Sequence, residues 1–433
     1  MSTSRKSLSK AEKSLFFVCV FLIVPLAAVV YVAGGRDADP KWNIPPAAPR
    51  PTPNGYDFYV AAAKATIRFK PEVDPASDVN INAPGSPYAL KNYSVARRTQ
   101  WLKANAKTFA LVNQGLTTPS MAPDYANKPM GDWATLRQLA RDMGARTRTF
   151  QMQKQPMQAT MSALDNMQMG RDSTHGGGLI SRLVGIAIEA IARAPLEDLD
   201  KTINELSGSE ARTAARRLEA LLAKEATATQ TATVEKRDTL LELKRIFMTP
   251  SWRRDLLAAS KPSVSQIIQA QTISKQTIYD NVNRALDAKI AQTKLPYSKA
   301  QKATLPPNLD IFSEYIVGPE TRVLMNEARH TTSSTMLLLR LALRAYIAEH
   351  GAAPQTLSAL VPSYLKSIPT DMYNDGKPLF YKPQGKTYKL WSVGPDMINN
   401  GGVPFTPRPG AKVKYPVTNT LDNKGDFVAG LCR

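Results

Sequence analysis

The middle of the chain repeats apolar residues every three to four positions, and it lacks the apolar–polar alternation that is typical of strands. Trp133, Leu136 and Met143 follow this spacing, and so do Leu179 and Leu183. Such a period places side chains along one face of a helix. Short connections between successive helical stretches indicate antiparallel neighbours. We therefore predict a mainly α protein, with an all-α domain folded as a helical bundle over residues 54–319.

One of these stretches, residues 179–191, carries Arg182 and Glu189 among its apolar residues. It is too short to span a membrane, so we interpret it as a buried core helix. Further along, either Ser207 or Ser209 is suited to cap the helix that follows, because a hydroxyl accepts a hydrogen bond from a free N–H at a helix start.

A spacer precedes this domain, and two helices are predicted at the start of the domain. Residues 34–53 are rich in proline, which favours an extended linker. The apolar pattern then predicts helices over residues 54–69 and 94–114, separated by a loop rich in Pro, Asn and Asp.

The C-terminal part has a different pattern. A helix is predicted over residues 320–350, with Gly351 as its left-handed stop. The segments 379–381 and 388–393 read as two strands of a hairpin, and residues 426–428 as a last short strand. A helix packed on a small antiparallel sheet is an α+β unit, which we predict for residues 320–433.

Within this part, Tyr364-Leu365, Pro369, Asp371 and the segment Gly376-Lys377-Pro378-Leu379 follow the long helix in an ordered series. In this order they resemble the globular head of the major pseudopilins of type II secretion, over about residues 325–430. The resemblance implies a pseudopilin-like α+β module with a calcium loop after its hairpin.

That loop is the candidate metal site. The segment 396–402 contributes Asp396, Asn399 and Asn400, and Asp422 or Asp426 would add a carboxylate. Calcium takes six to eight oxygen ligands, and carboxylates supply most of the affinity. With so few acids we expect weak calcium binding at most. An Asn-Gly turn closed by its own hydrogen bonds is the alternative. No other cofactor is predicted.

The N-terminus carries an uncharged apolar run over residues 15–33, preceded by several basic residues. Its length matches the hydrocarbon core of a bilayer, and the basic flank predicts a cytoplasmic tail at 1–14 with the bulk outside. The sequence thus predicts a single-pass inner-membrane protein with the bilayer as a partner; a cleaved signal peptide, ending near Val32-Ala33-Gly34, is the alternative. Unlike pseudopilins, the chain has no glutamate between Glu12 and Glu72 and so lacks the prepilin processing motif.

The net charge of +20 is dispersed, and no nucleic-acid-binding motif accompanies it, so we predict no nucleic-acid partner. The two cysteines, Cys19 and Cys432, lie in different environments, and the three histidines lack metal-ligand spacing. No catalytic signature appears, and we predict no enzyme activity. We expect a membrane-anchored structural or interaction protein of a bacterial envelope, linked to type II secretion, with an envelope protein as partner. The alternatives are a pseudopilus component and a binding module for anionic wall polymers or lipid head groups.

Overall fold

A computed structural model describes residues 38–69, 94–123, 132–197, 200–260, 262–318, 321–404 and 425–429. The chain divides into two units. Unit 1 comprises Met1–Pro46, Lys236–Ile290 and Thr304–Pro319, and unit 2 comprises Ala47–Glu235, Ala291–Ala303 and Glu320–Arg433. Unit 2 therefore draws on both predicted ranges 54–319 and 320–433. Which ranges fold alone stays a prediction.

Unit 2 begins with short helices. They are α1 (Gly55–Ala65), α2 (Val95–Ala104) and α3 (Ala106–Thr117). The predicted helix over 94–114 is thus two helices that meet at Asn105. The buried Asn105 side chain accepts a hydrogen bond from the backbone N–H of Ile67 and donates one to the Ile67 carbonyl. Asparagine offers such bonds to the backbone as an alternative to the helix ladder, which accounts for the break.

Longer helices follow: α4 (Asp132–Met152), α5 (Pro156–Asp172) and α6 (Leu179–Glu197). Helices α5 and α6 approach closely at two glycines. A Cβ atom on Gly185 would lie 2.0 Å from Thr174 Cγ2 and 2.8 Å from the Gly170 carbonyl oxygen. A Cβ on Gly170 would lie 2.8 Å from Glu189 Cγ. Because neither position has room for a side chain, this crossing depends on glycine.

The helices α7 (Asp200–Asn204) and α8 (Gly208–Ala223) come next, and the long helix α15 (Thr321–His350) packs on α8. Ser207 is the N-cap of α8, in a capping box with Glu210. The two helices share one core, and the Arg344 Nε donates to the Leu206 carbonyl at 2.7 Å. The C-terminal helix is therefore part of the core that the helices of residues 156–223 also build.

The rest of unit 2 contains α13 (Tyr297–Ala300), a 3₁₀ helix (Leu357–Leu360) and the strands β1 (Phe380–Gln384), β2 (Thr387–Ser392) and β3 (Phe427–Val428). The sheet is antiparallel in the order β1-β2-β3, with Pro383 opposite Tyr388. Buried Asp371 connects this part to α15, because its Oδ1 accepts from Thr332 Oγ1 at 3.0 Å and from the Tyr373 N–H.

Unit 1 has its own core. Its elements are the end of α9 (Ala228–Phe247), α10 (Trp252–Ser260), α11 (Val264–Ala270), most of α12 (Lys275–Gln292) and α14 (Ile311–Val317). Aromatic rings form a chain through this core, in which Trp252 lies between Phe247 and Phe312 at centroid distances of 4.9 and 5.8 Å. Trp42 adds a ring from the linker, 5.2 Å from Tyr279.

The predicted transmembrane helix requires a correction. Among the described residues, no helix combines the length and the apolar character that membrane crossing requires. The longest, α15, carries Glu327, Arg329 and Arg340, and the apolar helix α6 carries Arg182 and Glu189. This finding contradicts the transmembrane element of the fold class, the single-pass membrane description and the inner-membrane localisation. The predicted span, 15–33, lies outside the described residues, as does the tail at 1–14.

Candidate functional site

A group of charged side chains meets inside unit 2, contributed by α5, α6, the segment after α8, and α15. All of them are buried or half-buried. The members are Arg171, Arg182, Glu189, Arg193, Glu225, Glu327 and His330, which we call the charge cluster. The close crossing at Gly170 and Gly185 places the α5 and α6 members side by side.

Arginine and glutamate side chains pair throughout the cluster. Arg171 donates from Nε to Glu189 Oε2 at 3.0 Å and from Nη2 to Glu225 Oε2 at 3.2 Å. Arg182 pairs with Glu225 and with Glu327, and its Nε lies 2.9 Å from Glu327 Oε2. A buried carboxylate is tolerated only where paired charges and hydrogen bonds compensate it. These contacts provide that compensation, except that Glu189 Oε1 makes no hydrogen bond and has the charge of Arg182 Nη1 3.8 Å away.

The pKa values follow from these contacts. Burial alone would lower the pKa of Arg182, but the neighbouring Glu327 carboxylate, followed by Glu225 and Glu189, raises it overall. Burial would raise the pKa of Glu225, yet its hydrogen bond with His330 and the charge of Arg182 lower it overall. Both groups are therefore charged at neutral pH.

The hydrogen-bonding role of each His330 ring nitrogen follows from its partner. Arg193 Nη1 lies 3.2 Å from His330 Nδ1, and His330 Nε2 lies 3.0 Å from Glu225 Oε1. A guanidinium has only donors, so Nδ1 must be the acceptor of this bond. The Nε2 proton is therefore the one donated to Glu225.

Glu189, Glu225 and His330 also form a set of metal-ligand types, with one ligand atom of each within 4.8 Å of the others. Carboxylate and imidazole donors suit zinc and related ions. In this cluster, however, His330 Nδ1 uses its lone pair to accept a hydrogen bond from Arg193. The other ring nitrogen, Nε2, faces the carboxylates and carries a proton. The glutamates accept from arginines. The arrangement fits an internally compensated ion network better than a metal centre.

Part of the signal for this cluster is visible in the sequence. Charges at Arg182 and Glu189 in a helix predicted to be buried already required partners. The partners could not be found from spacing, because Arg182 pairs with Glu327, which lies 145 residues further along the chain. His330 lacks a second histidine or cysteine at ligand spacing, so sequence reasoning missed it.

The predicted calcium residues are brought together in the loop after β2. The Asp426 carboxylate accepts from the N–H of Asn400 at 3.1 Å and of Gly402 at 2.6 Å. Asn399 Oδ1 accepts from Trp391 Nε1 and from the Gly401 N–H, and Asp396 Oδ1 accepts from the Ile398 N–H. Asp422 lies outside the described residues. Calcium binding at this loop stays a prediction.

Comparisons with protein-family models, with curated proteins and with solved structures found no match. The resemblance to pseudopilin heads therefore stays an expectation that rests on the residues quoted for it.

Proposed function

We propose that the protein is a non-catalytic interaction protein that binds a partner protein through α11 of unit 1. The observation that carries this proposal is that α11 turns its apolar face to solvent. Val264, Ile267 and Ile268 have exposed fractions of 75%, 40% and 67%. Their i, i+3, i+4 spacing places them on one side of the helix.

The orientation of α11 is the reverse of what a surface helix normally adopts. A surface helix buries its apolar stripe and exposes polar residues. Here the apolar stripe is exposed, while Gln266 is half-buried and Ala270 is fully buried. Contiguous exposed apolar side chains are characteristic of sites that bind another molecule.

The helix is also well fixed in this orientation. At its start, the Gln266 side chain accepts from the Ser263 N–H and the Gln266 N–H donates to Ser263 Oγ, which is a capping box. At its end, Arg253 Nη1 donates to the carbonyls of Ala270 and Ile273. A fixed helix loses little conformational freedom on binding, which favours affinity.

The charge of the segment indicates which partner it suits. Residues 262–274 contain no charged side chain, although the chain as a whole carries +20. Binding of nucleic acid, anionic polymers or lipid head groups relies on lysine and arginine. An uncharged apolar helix face fits an apolar groove on a protein, with anchors at i, i+3 and i+4.

Two further observations support this proposal. The cluster of titratable groups in unit 2 is directed inward and its members pair with one another, which argues against a catalytic role. The resemblance of residues 325–430 to pseudopilin heads supports a component of a type II secretion assembly as the partner.

The proposal can be tested by placing a photo-crosslinking amino acid at Ile268 in cells that produce the full chain. Ile180, which is 51% exposed in unit 2, provides the matched control position. We expect a discrete protein adduct from position 268 and none from position 180. The crosslinked protein, identified by mass spectrometry and purified, should bind Ile268→Asp at least about tenfold more weakly than wild type, because interface anchors contribute more than about 1.4 kcal/mol. Ile180→Asp should bind like wild type.

The proposal fails if position 268 gives no adduct, or gives adducts only with lipid or polysaccharide. It also fails if the purified partner binds Ile268→Asp as tightly as wild type.

A further inference from the structure

The loop after β2 is closed on the sheet by hydrogen bonds from its own backbone. Asp426, next to β3, holds Asn400 and Gly402 through their N–H groups. Asn399 fixes the other side through Trp391 of β2. Together these bonds connect the loop to two neighbouring strands.

Lys389 of β2 supplies a positive charge at the same place. Its Nζ donates to the Gly401 carbonyl oxygen at 3.1 Å and lies 5.8 Å from the centroid of the Trp391 ring. Its stem passes directly beside Gly402, where a Cβ atom would lie 2.4 Å from Lys389 Cε. Gly402 also has a φ of +75°, so both the lysine and the backbone conformation require glycine there.

The oxygens of this loop do not fit a calcium ion. Calcium takes six to eight oxygen ligands. The Asp426, Asn399 and Gly401 oxygens already accept from N–H groups or from the lysine ammonium. Asp396 Oδ2 is a buried oxygen with no hydrogen-bond partner, and a single such oxygen is far from a coordination shell.

We propose that Lys389 is the resident cation of this loop and holds it closed without calcium. An ammonium that donates to the Gly401 carbonyl supplies a positive charge at the loop without a bound metal. This role goes beyond partner binding by α11 and does not depend on it, since the loop belongs to unit 2 and α11 to unit 1.

The test compares Lys389→Met with Lys382→Met in the full chain. Lys382 is the matched control because it is the direct cross-strand partner of Lys389 on β1. Amide hydrogen exchange is measured for the segment 399–402, once in millimolar calcium chloride and once with EDTA. We expect wild type to exchange equally in both conditions. We expect Lys389→Met to exchange at least about tenfold faster in this segment, and Lys382→Met to match wild type.

Slower exchange of wild type in calcium than in EDTA would overturn the proposal, because it would show that a metal closes the loop. Unchanged exchange in Lys389→Met would overturn it as well. Exchange of the helical peptides from α15 serves as the check that each variant is folded.

Discussion

At the scale of single residues, the charge cluster determines which substitutions unit 2 tolerates. Arg182 is 3% exposed and forms ion pairs with both Glu225 and Glu327. Removing one partner of a buried ion pair leaves an uncompensated charge, which costs about 3–5 kcal/mol. We expect Arg182→Met to lower the free energy of unfolding by that amount in urea denaturation.

Arg254→Met is the control for this substitution. Arg254 is 81% exposed and pairs only with its neighbour Asp255 among the described contacts. Exposed pairs contribute about 0–1 kcal/mol, so this variant should unfold near the wild-type midpoint. Equal losses in both variants would contradict the assignment of the cluster as the stabilising network.

Two carboxyl groups, one in α4 and one in α5, predict that the stability of unit 2 falls as the pH rises. Burial raises the pKa of Asp142 and of Asp172 to about 6, although Gln138 and Tyr59 donate hydrogen bonds to them. Between pH 3.8 and 6 the folded state therefore holds protons that the unfolded state has released. Stability from these groups is present below this window and is lost as the pH rises through it, by about 3 kcal/mol for each group.

This dependence is measurable by denaturant unfolding between pH 4 and 7. Asp142→Asn should remove about half of the decline that the two groups cause, because an amide does not titrate. A variant that declines as steeply as wild type would show that Asp142 is ionised throughout the range.

At the scale of elements, the α5–α6 crossing gives a sharp contrast between two glycines. Gly185→Ala would place a methyl group 2.0 Å from Thr174 Cγ2 and 2.8 Å from the Gly170 carbonyl, so the helices must separate. Such overpacking costs about 1–3 kcal/mol. Gly144→Ala in α4 meets nothing nearer than 3.8 Å and should stabilise the helix by about 0.5–1 kcal/mol.

Thermal unfolding of the two variants checks this prediction. The melting temperature should fall for Gly185→Ala and rise for Gly144→Ala. A fall of equal size in both would mean that loss of glycine, and not close approach of the helices, determines the effect.

The elements also show how far sequence reasoning reaches. The predicted helices at 54–69 and 320–350 correspond to α1 and α15, and the hairpin and last strand correspond to β1, β2 and β3. Their signals are local, because periodicity and the stop at Gly351 act within a few residues. The break at Asn105 and the closure of the loop after β2 depend on contacts across 38 and 24 residues of chain, from Asn105 to Ile67 and from Asp426 to Gly402. No rule based on residue spacing predicts such contacts.

At the scale of the whole molecule, the position of α15 bears on which fragments can fold. Its residues Leu338, Leu341 and Ala345 belong to the same core as Ala214 and Leu218 of α8. A fragment of residues 320–433 alone would expose this apolar face to water. We expect the isolated fragment to give a poorly dispersed ¹H–¹⁵N spectrum, and addition of a fragment of residues 47–319 to restore dispersion.

A well-dispersed spectrum from 320–433 alone would instead establish the C-terminal range as a domain of its own. The packing of α8 against α15 would then add to a module that is already stable.

The small sheet constrains how copies of this protein can associate. Strand β1 is at one edge of the sheet, and it contains Pro383 opposite Tyr388. Gln384 and Thr387 flank the turn as a hydrogen-bonded pair, so the backbone groups of Pro383 point away from β2. Proline has no N–H, so position 383 offers no donor to a strand added at this edge. Strand addition at β1 would therefore leave one ladder hydrogen bond unmade, which disfavours association of copies through this edge.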